Sequence, residues 1–173
     1  GWTIVPRVAT STNAEGKYRF DGLASGTYAV GFRDPQGVYA TTLFDQQYLH
    51  PTPVMITGTQ ILANVNATLS PGSTIRGTIR RTEGKNPAGY RIHISAENPG
   101  ETLYFLDIIS GTTGDYEITG LPPGTYWLFA SPPYPASGWY ERGSIVVGEN
   151  VTLEGIDFMV DALPRLFLPM VEE

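Results

Sequence analysis

Side chains able to act as acid, base, nucleophile or metal ligand are few and dispersed in this 173-residue sequence. Its two histidines, His50 and His93, stand in no His-Glu-x-x-His or similar spacing, so no helix presents a paired zinc site. His93 falls between Ile92 and Ile94 in a strand-like run, where alternation predicts an outward-facing, solvated ring. Ser131 and Ser137 lack the Gly-x-Ser-x-Gly turn that raises a nucleophile above a sheet. Asp34, Asp45, Asp107 and Asp115 are separated and form no Asp-x-Asp calcium loop. Cysteine is absent, which removes disulfides, thiolate catalysis and cysteine-ligated metals together. The expectation is a protein that is not an enzyme, with no catalytic residues, cofactor or metal. Two glycosylation sequons, Asn66-Ala67-Thr68 and Asn150-Val151-Thr152, are the places to look for sugar if the chain is secreted.

The aromatic residues say more than the titratable ones. On one strand Tyr126 and Leu128 point inward by alternation, leaving Trp127 and Phe129 facing out. Close by in sequence lie Pro132, Pro133, Tyr134, Pro135, Trp139 and Tyr140. Three readings stay open: a protein interface, a stacking platform for sugar rings, or a proline-rich loop folding back over its own strand.

These residues are positioned by a stretch that occurs twice. Gly16 opens Gly-Lys-Tyr-Arg-Phe-Asp-Gly-Leu-Ala-Ser-Gly-Thr-Tyr, and Gly114 opens Gly-Asp-Tyr-Glu-Ile-Thr-Gly-Leu-Pro-Pro-Gly-Thr-Tyr. At a constant offset of 98, 7 of the 13 positions are identical. Each copy reads as strand, tight corner and strand, with Tyr18, Phe20, Leu23, Tyr28, Val30 and Phe32 inward in the first. The second places Tyr116, Ile118, Leu121, Tyr126 and Leu128 in the same roles. Leu-x-x-Gly-x-Tyr is the form of a tyrosine corner, assigning Tyr28 and Tyr126 to two separate cores.

Composition agrees with two small units rich in turns. There are 20 Gly and 14 Pro, many short Val/Ile/Thr/Tyr runs and no long helical period, which predicts an all-β chain. Net charge is −6 with scattered Lys and Arg, so a nucleic acid partner is not expected. No apolar run approaches the roughly 20 residues of a membrane helix, so membrane insertion is not expected either. Strands are predicted around Trp2 to Val8, the first corner, Tyr39 to Thr42, Val54 to Ile56 and Ile61 to Leu69, with Phe44 to His50 as loop. Ser70-Pro71-Gly72 is the boundary, a short stiff linker. Beyond it come strands at Thr74 to Arg80, Tyr90 to Ile94, Leu103 to Ile109, the second corner, Ser144 to Val147 and Val151 to Val160. That is about seven strands, as in a sandwich.

The second half, with Ile75-Arg76-Gly77-Thr78-Ile79, then Pro87-Ala88-Gly89-Tyr90-Arg91-Ile92-His93-Ile94, then the Gly114 corner, resembles a carboxypeptidase-regulatory-like domain. Its relatives are the transthyretin-like and collagen-adhesin B-type modules of secreted bacterial surface proteins. The resemblance implies an Ig-like or transthyretin-like sandwich on the outside of a cell, and says little of function, since such modules serve as stalks, spacers, adhesive units and enzyme accessories. Some collagen-adhesin relatives carry a lysine–asparagine crosslink. The lysines here, Lys17 and Lys85, sit at loop-like positions, so that crosslink is not expected.

By the offset of 98, nothing in the first half matches Ser73 to Asn98, so residues 1–70 read as an incomplete sandwich lacking its first two strands. Residues 71–162 read as a complete one. Residues 163–173 follow as a tail whose Leu166, Leu168 and Met170 alternate against Phe167 and Val171, apolar on both faces. An open edge and a spare apolar strand predict complementation between copies, giving a head-to-tail homopolymer: an extracellular fibre or surface layer. The tail residues together with Trp127 and Phe129 would then form the subunit interface. The alternatives are that the tail folds back on its own domain, that Gly1 is a cut in a longer array, or that the chain is a binding or spacer module of a larger secreted protein, with glycans as possible partners.

Overall fold

A computed structural model describes residues 8–48, 51–81, 87–98, 101–133 and 140–160, with the side chains of 97–98 and 101–106 outside the description. Among these residues the chain is all-β apart from a single 3-10 turn at Phe44–Gln46, where a loop is expected from sequence. No helix among them is long and apolar enough to cross a membrane.

The N-terminal segment is sparsely paired. Its strands are β1 (Gly26–Tyr28), β2 (Gly31–Phe32), β3 (Thr42–Leu43) and β4 (Val54–Ile56). They form two separate two-stranded sheets, β1 with β4 and β2 with β3, both antiparallel. The stretch from Ile61 to Leu69, which alternates like a strand, has no ladder partner and is not one. Residues 17–23, the first arm of the corner, are likewise unpaired among the described residues.

Residues 73–160 form a sandwich. One sheet takes the order β10-β9-β6-β7, from Tyr140–Val147, Gly124–Ser131, Arg91–Asn98 and Glu101–Ile109. The other is built on β5 (Ser73–Arg80), which pairs antiparallel with β8 (Asp115–Leu121) and parallel with β11 (Thr152–Leu153) and β12 (Phe158–Met159). The run from Val151 to Val160 is therefore two short pieces rather than one strand. Alternation along each strand sends Ile75, Ile79, Tyr116 and Ile118 from one sheet against Ile92, Ile94, Tyr126 and Leu128 from the other, all buried. Ser73, also buried, is satisfied by donating to Gly148 O at 2.8 Å and accepting from Val151 N at 3.0 Å.

The two parts are joined by backbone contact as well as by chain. Ala40 N donates to Ser70 O (2.8 Å), Gly72 N to Val38 O (2.9 Å) and Thr41 N to Gly120 O (3.1 Å), and Tyr39 bridges Pro71. Three glycines make the approach possible. A Cβ on Gly37 would lie 2.0 Å from Thr119 Oγ1, and one on Gly72 would lie 2.7 Å from the Gly120 Cα. Asp34 shapes the docking loop, accepting from Gln36 N at its Oδ1 (3.0 Å) and from Val38 N and Tyr39 N at its Oδ2 (2.8 and 3.2 Å). Those bonds, the one from Gln36 foremost, hold its carboxyl below the ordinary carboxylate range.

Candidate functional site

The repeat allows the two halves to be compared residue by residue. Tyr116, Ile118, Leu121, Tyr126, Leu128 and Ala130 are all buried. Their counterparts at the offset of 98, Tyr18, Phe20, Leu23, Tyr28, Val30 and Phe32, are all only partly covered. The rings of Tyr18, Phe20 and Phe32 pack edge-on at centroid distances of 5.5 to 5.7 Å, so this row is organised although it is not sealed. The counterparts of the side chains that close the C-terminal core form a half-covered apolar face in the N-terminal segment.

Local geometry at the corners is shared despite that difference. Tyr126 Oη donates to Pro122 O at 2.6 Å in a buried setting, and Tyr28 Oη donates to Ala24 O at 2.7 Å in an exposed one. Both bonds reach back four residues, and Gly22 and Gly120 share a φ of 70°. Tyr116 and Tyr18 each donate a hydroxyl to a distant carbonyl, that of Ile156 and that of Val65. Burial pushes the Tyr116 hydroxyl above the usual tyrosine range, and that of Tyr18 in the same direction.

His93 is not solvated. It faces off the core as alternation requires, yet it is 8% exposed. Its Nε2 lies 3.0 Å from Ser131 Oγ, and its Nδ1 lies 2.6 Å from Asp107 Oδ1, a close polar contact outside hydrogen-bond alignment. Arg91 reaches the other Asp107 oxygen at 3.4 Å. Alternation assigns a face and cannot tell whether that face is covered, which is why the expectation failed. The cross-strand partners, Asp107 on β7 directly opposite His93 and Ser131 on β9, become visible only with the register. An acid, an imidazole and a hydroxyl in line have the makings of nucleophile activation, but the Asp107 oxygen meets the ring outside hydrogen-bond alignment. The cluster is a polar patch on the sheet, tied by the Ser131 contact and the Asp107 carboxylate.

Trp127 and Phe129, expected to face out, are partly covered rather than exposed. Asn66 and Asn150 are exposed, the latter in a turn with φ 49°. On the opposite sheet Arg76 bonds Glu117 and Glu154, Arg80 bonds Asp157, and Thr78 and Thr113 bond Asp115, whose carboxyl is thereby lowered, Thr113 contributing most. That face is charged but paired. No group of three or more potential metal ligands occurs among the described residues. Leu166, Phe167, Leu168, Met170, Val171, His50, Lys85, Ser137, Tyr134, Pro135 and Trp139 lie outside the described residues.

Known proteins match both halves. Residues 74–158 match the carboxypeptidase regulatory-like domain family, and residues 4–47 match the SdrD B-like domain family. Among curated proteins, serine-aspartate repeat-containing protein D of Staphylococcus aureus strain Newman is 28% identical over 132 residues, covering 67% of this chain and 10% of that protein. The protein of the same name from strain MW2 matches equally. The chain thus spans about a tenth of the length of the curated relatives it matches. Its C-terminal sandwich is similar to the carboxypeptidase regulatory-like domain family, with a segment similar to the SdrD B-like domain family ahead of it.

Proposed function

We propose that this chain is a non-catalytic structural module of an extracellular, surface-displayed protein, made of two tandem units of which the first is completed by a strand from outside residues 8–160. One observation carries the reading: six inward residues buried in the C-terminal sandwich have six partly exposed counterparts in the N-terminal segment. A row of apolar rings beside unpaired backbone is an edge that folded proteins cover. Completion by a neighbour joins modules end to end without closing a ring. Similarity to long serine-aspartate repeat proteins, and to modules of secreted surface proteins, supports the extracellular setting.

Two segments compete as the donor. One is the apolar tail, with Leu166, Phe167, Leu168, Met170 and Val171, from a second copy. The other is an opening strand from a neighbouring unit of the same kind. Negative-stain microscopy and light scattering across a concentration series test the reading. Growth of linear assemblies with concentration is expected, and a monomer at every concentration overturns self-assembly. Deleting residues 163–173 separates the donors, since assembly then disappears only if the tail supplies the strand.

A second reading, a binding or spacer module with glycan as ligand, is favoured by the partly exposed Trp127 and Phe129 beside the His93 cluster. Retention on immobilised glycans that is lost in Trp127→Ala, with no assembly, would select it.

A further inference from the structure

The docking loop holds one peptide bond together with the groups that can break it. Asp34-Pro35 is the sole Asp-Pro pair in the sequence, and its counterparts at the offset of 98 are Pro132 and Pro133. The chain turns over Asp34 to Gly37, with Asp, Pro and Gly where such a turn favours them, and Gly37 N donates to the Asp34 carbonyl oxygen at 3.1 Å. The same turn brings Gln36 N to Asp34 Oδ1 at 3.0 Å, and Val38 N and Tyr39 N reach Oδ2 at 2.8 and 3.2 Å. The carboxyl is thereby pinned alongside the peptide that follows it, and the carbonyl of that peptide already has a donor on its oxygen. Pro35 and Gln36 are exposed, so water reaches the bond.

These are the parts of an intramolecular acyl transfer. An aspartate oxygen closes a five-membered ring on the carbonyl carbon of its own residue, with the high effective concentration of a tethered nucleophile. An N–H on the carbonyl oxygen is placed to take up the charge that develops there. Proline is a favourable leaving group, because its nitrogen carries a second alkyl group and no hydrogen and so accepts a proton more readily than an ordinary peptide nitrogen. What restrains the step is the set of three amides on the carboxylate. They hold it ionised, Gln36 N foremost, and an ionised carboxyl has no proton to give to the departing nitrogen.

We propose that the Asp34–Pro35 bond is a self-cleavage site, kept closed by the amides of its own loop and opened by acid. Once protonated, the Asp34 carboxyl attacks its own main-chain carbonyl carbon. A C–O bond forms, the carboxyl proton passes to the Pro35 nitrogen, and the C–N bond breaks. That leaves a cyclic anhydride at residue 34 and a secondary amine at Pro35. One water opens the anhydride to two carboxyls, so the sum is hydrolysis of one peptide bond with no change of oxidation state. The surroundings leave the trigger to this carboxyl. Ser70-Pro71-Gly72 and Thr119-Gly120, packed against the loop, carry no titratable side chain, and Tyr39 is uncharged in acid. Arg33 is exposed, and no ion pair among the described residues includes Asp34. The cut falls between β2 and β3, so the β1–β4 and β2–β3 ladders, and no longer the chain, tie the two pieces. The joint to the sandwich, through Val38, Ala40 and Thr41, lies wholly on the second piece.

The test holds the 173-residue chain, folded and unfolded in urea, for hours between about pH 2 and pH 7 and reads denaturing electrophoresis and intact mass. Fragments 1–34 and 35–173 are expected, absent from Asp34→Asn and at least tenfold slower to form in Pro35→Ala. The folded chain should begin to cleave at a lower pH than the unfolded one, because its carboxyl is held ionised, and should cleave at least as fast once both are protonated. In water enriched in the heavy oxygen isotope, label should be shared between the two carboxyls of Asp34. A folded chain that stays whole throughout, or whose profile coincides with that of the unfolded chain, overturns the proposal, as does label confined to the main-chain carboxyl. Brief acid exposure protonates the carboxyl without cutting the chain, so loss of the loop's hydrogen bonds and loss of the peptide bond are read separately.

Discussion

Two tyrosines with the same bond sit in unequal surroundings, and the difference sets what each hydroxyl is worth. Tyr126 donates inside the core, where removal leaves the Pro122 carbonyl buried beside a ring. Tyr28 donates at the surface, where water replaces it. Tyr126→Phe is expected to cost about 1–2 kcal/mol in urea denaturation and Tyr28→Phe about 0.5 kcal/mol or less. Similar losses at both sites would mean that Tyr28 is covered in solution. Asn66 presents a related choice. It follows Val65 as Asp157 follows Ile156, and Asp157 Oδ1 accepts from Thr78 N of β5 at 2.9 Å. Asn66 therefore borders the edge that a completing strand would occupy, and a sugar attached there and a strand inserted there exclude each other. If material from a secreting host carries glycan at Asn66, mass spectrometry will find it only in the unassembled fraction.

Elements differ in how much of them a local pattern can report. The corners were legible because Leu-x-x-Gly-x-Tyr specifies its own turn and its own hydrogen bond over a few residues. The stretch 61–69 alternates as well as any strand, but alternation records which side is apolar and not whether a neighbour is present to pair with. Its missing ladder is a property of another segment. His93 follows the same logic, since the register that brings Asp107 and Ser131 to it lies in three strands at once. The joint was hidden for a different reason. Gly22 and Gly120 have the same φ and the same place in the repeat, each followed by Leu, and only the second is approached by another segment. That pair isolates contact from conformation. Alanine at either position meets the same backbone strain of about 1–2 kcal/mol, but at Gly120 its Cβ also falls 3.1 Å from Tyr39 O. Thermal denaturation should therefore show Gly120→Ala less stable than Gly22→Ala, and equal losses would mean that the joint bears no stability.

For the whole molecule, the question is whether the joint makes the two halves one stiff body, as a stalk requires. The Thr41–Gly120 backbone hydrogen bond and three close-packed glycines add to the Ser-Pro-Gly linker, which is itself held to Val38 and Ala40 by two more backbone bonds. Spin labels on exposed Thr12 and Glu149 should give a narrow distance distribution, broadened by Gly37→Val, whose side chain cannot fit beside Thr119. Acid supplies a reversible version of that experiment. Asp34 has its carboxyl lowered from 3.8 by the amides of the docking loop, so its contribution is complete above the ordinary carboxylate value and is lost as pH falls through the lower, folded value. Asp115 titrates in the same direction, but its partners Thr113 and Thr78 lie within the sandwich and not at the joint. The distance distribution should accordingly widen only below about pH 4, and in Asp34→Asn, which keeps one acceptor oxygen of two, it should be wider at neutral pH and respond less to acid. A distribution already broad at neutral pH in the unaltered chain would show the halves to be hinged, and a stalk built on this joint would then be flexible at every module.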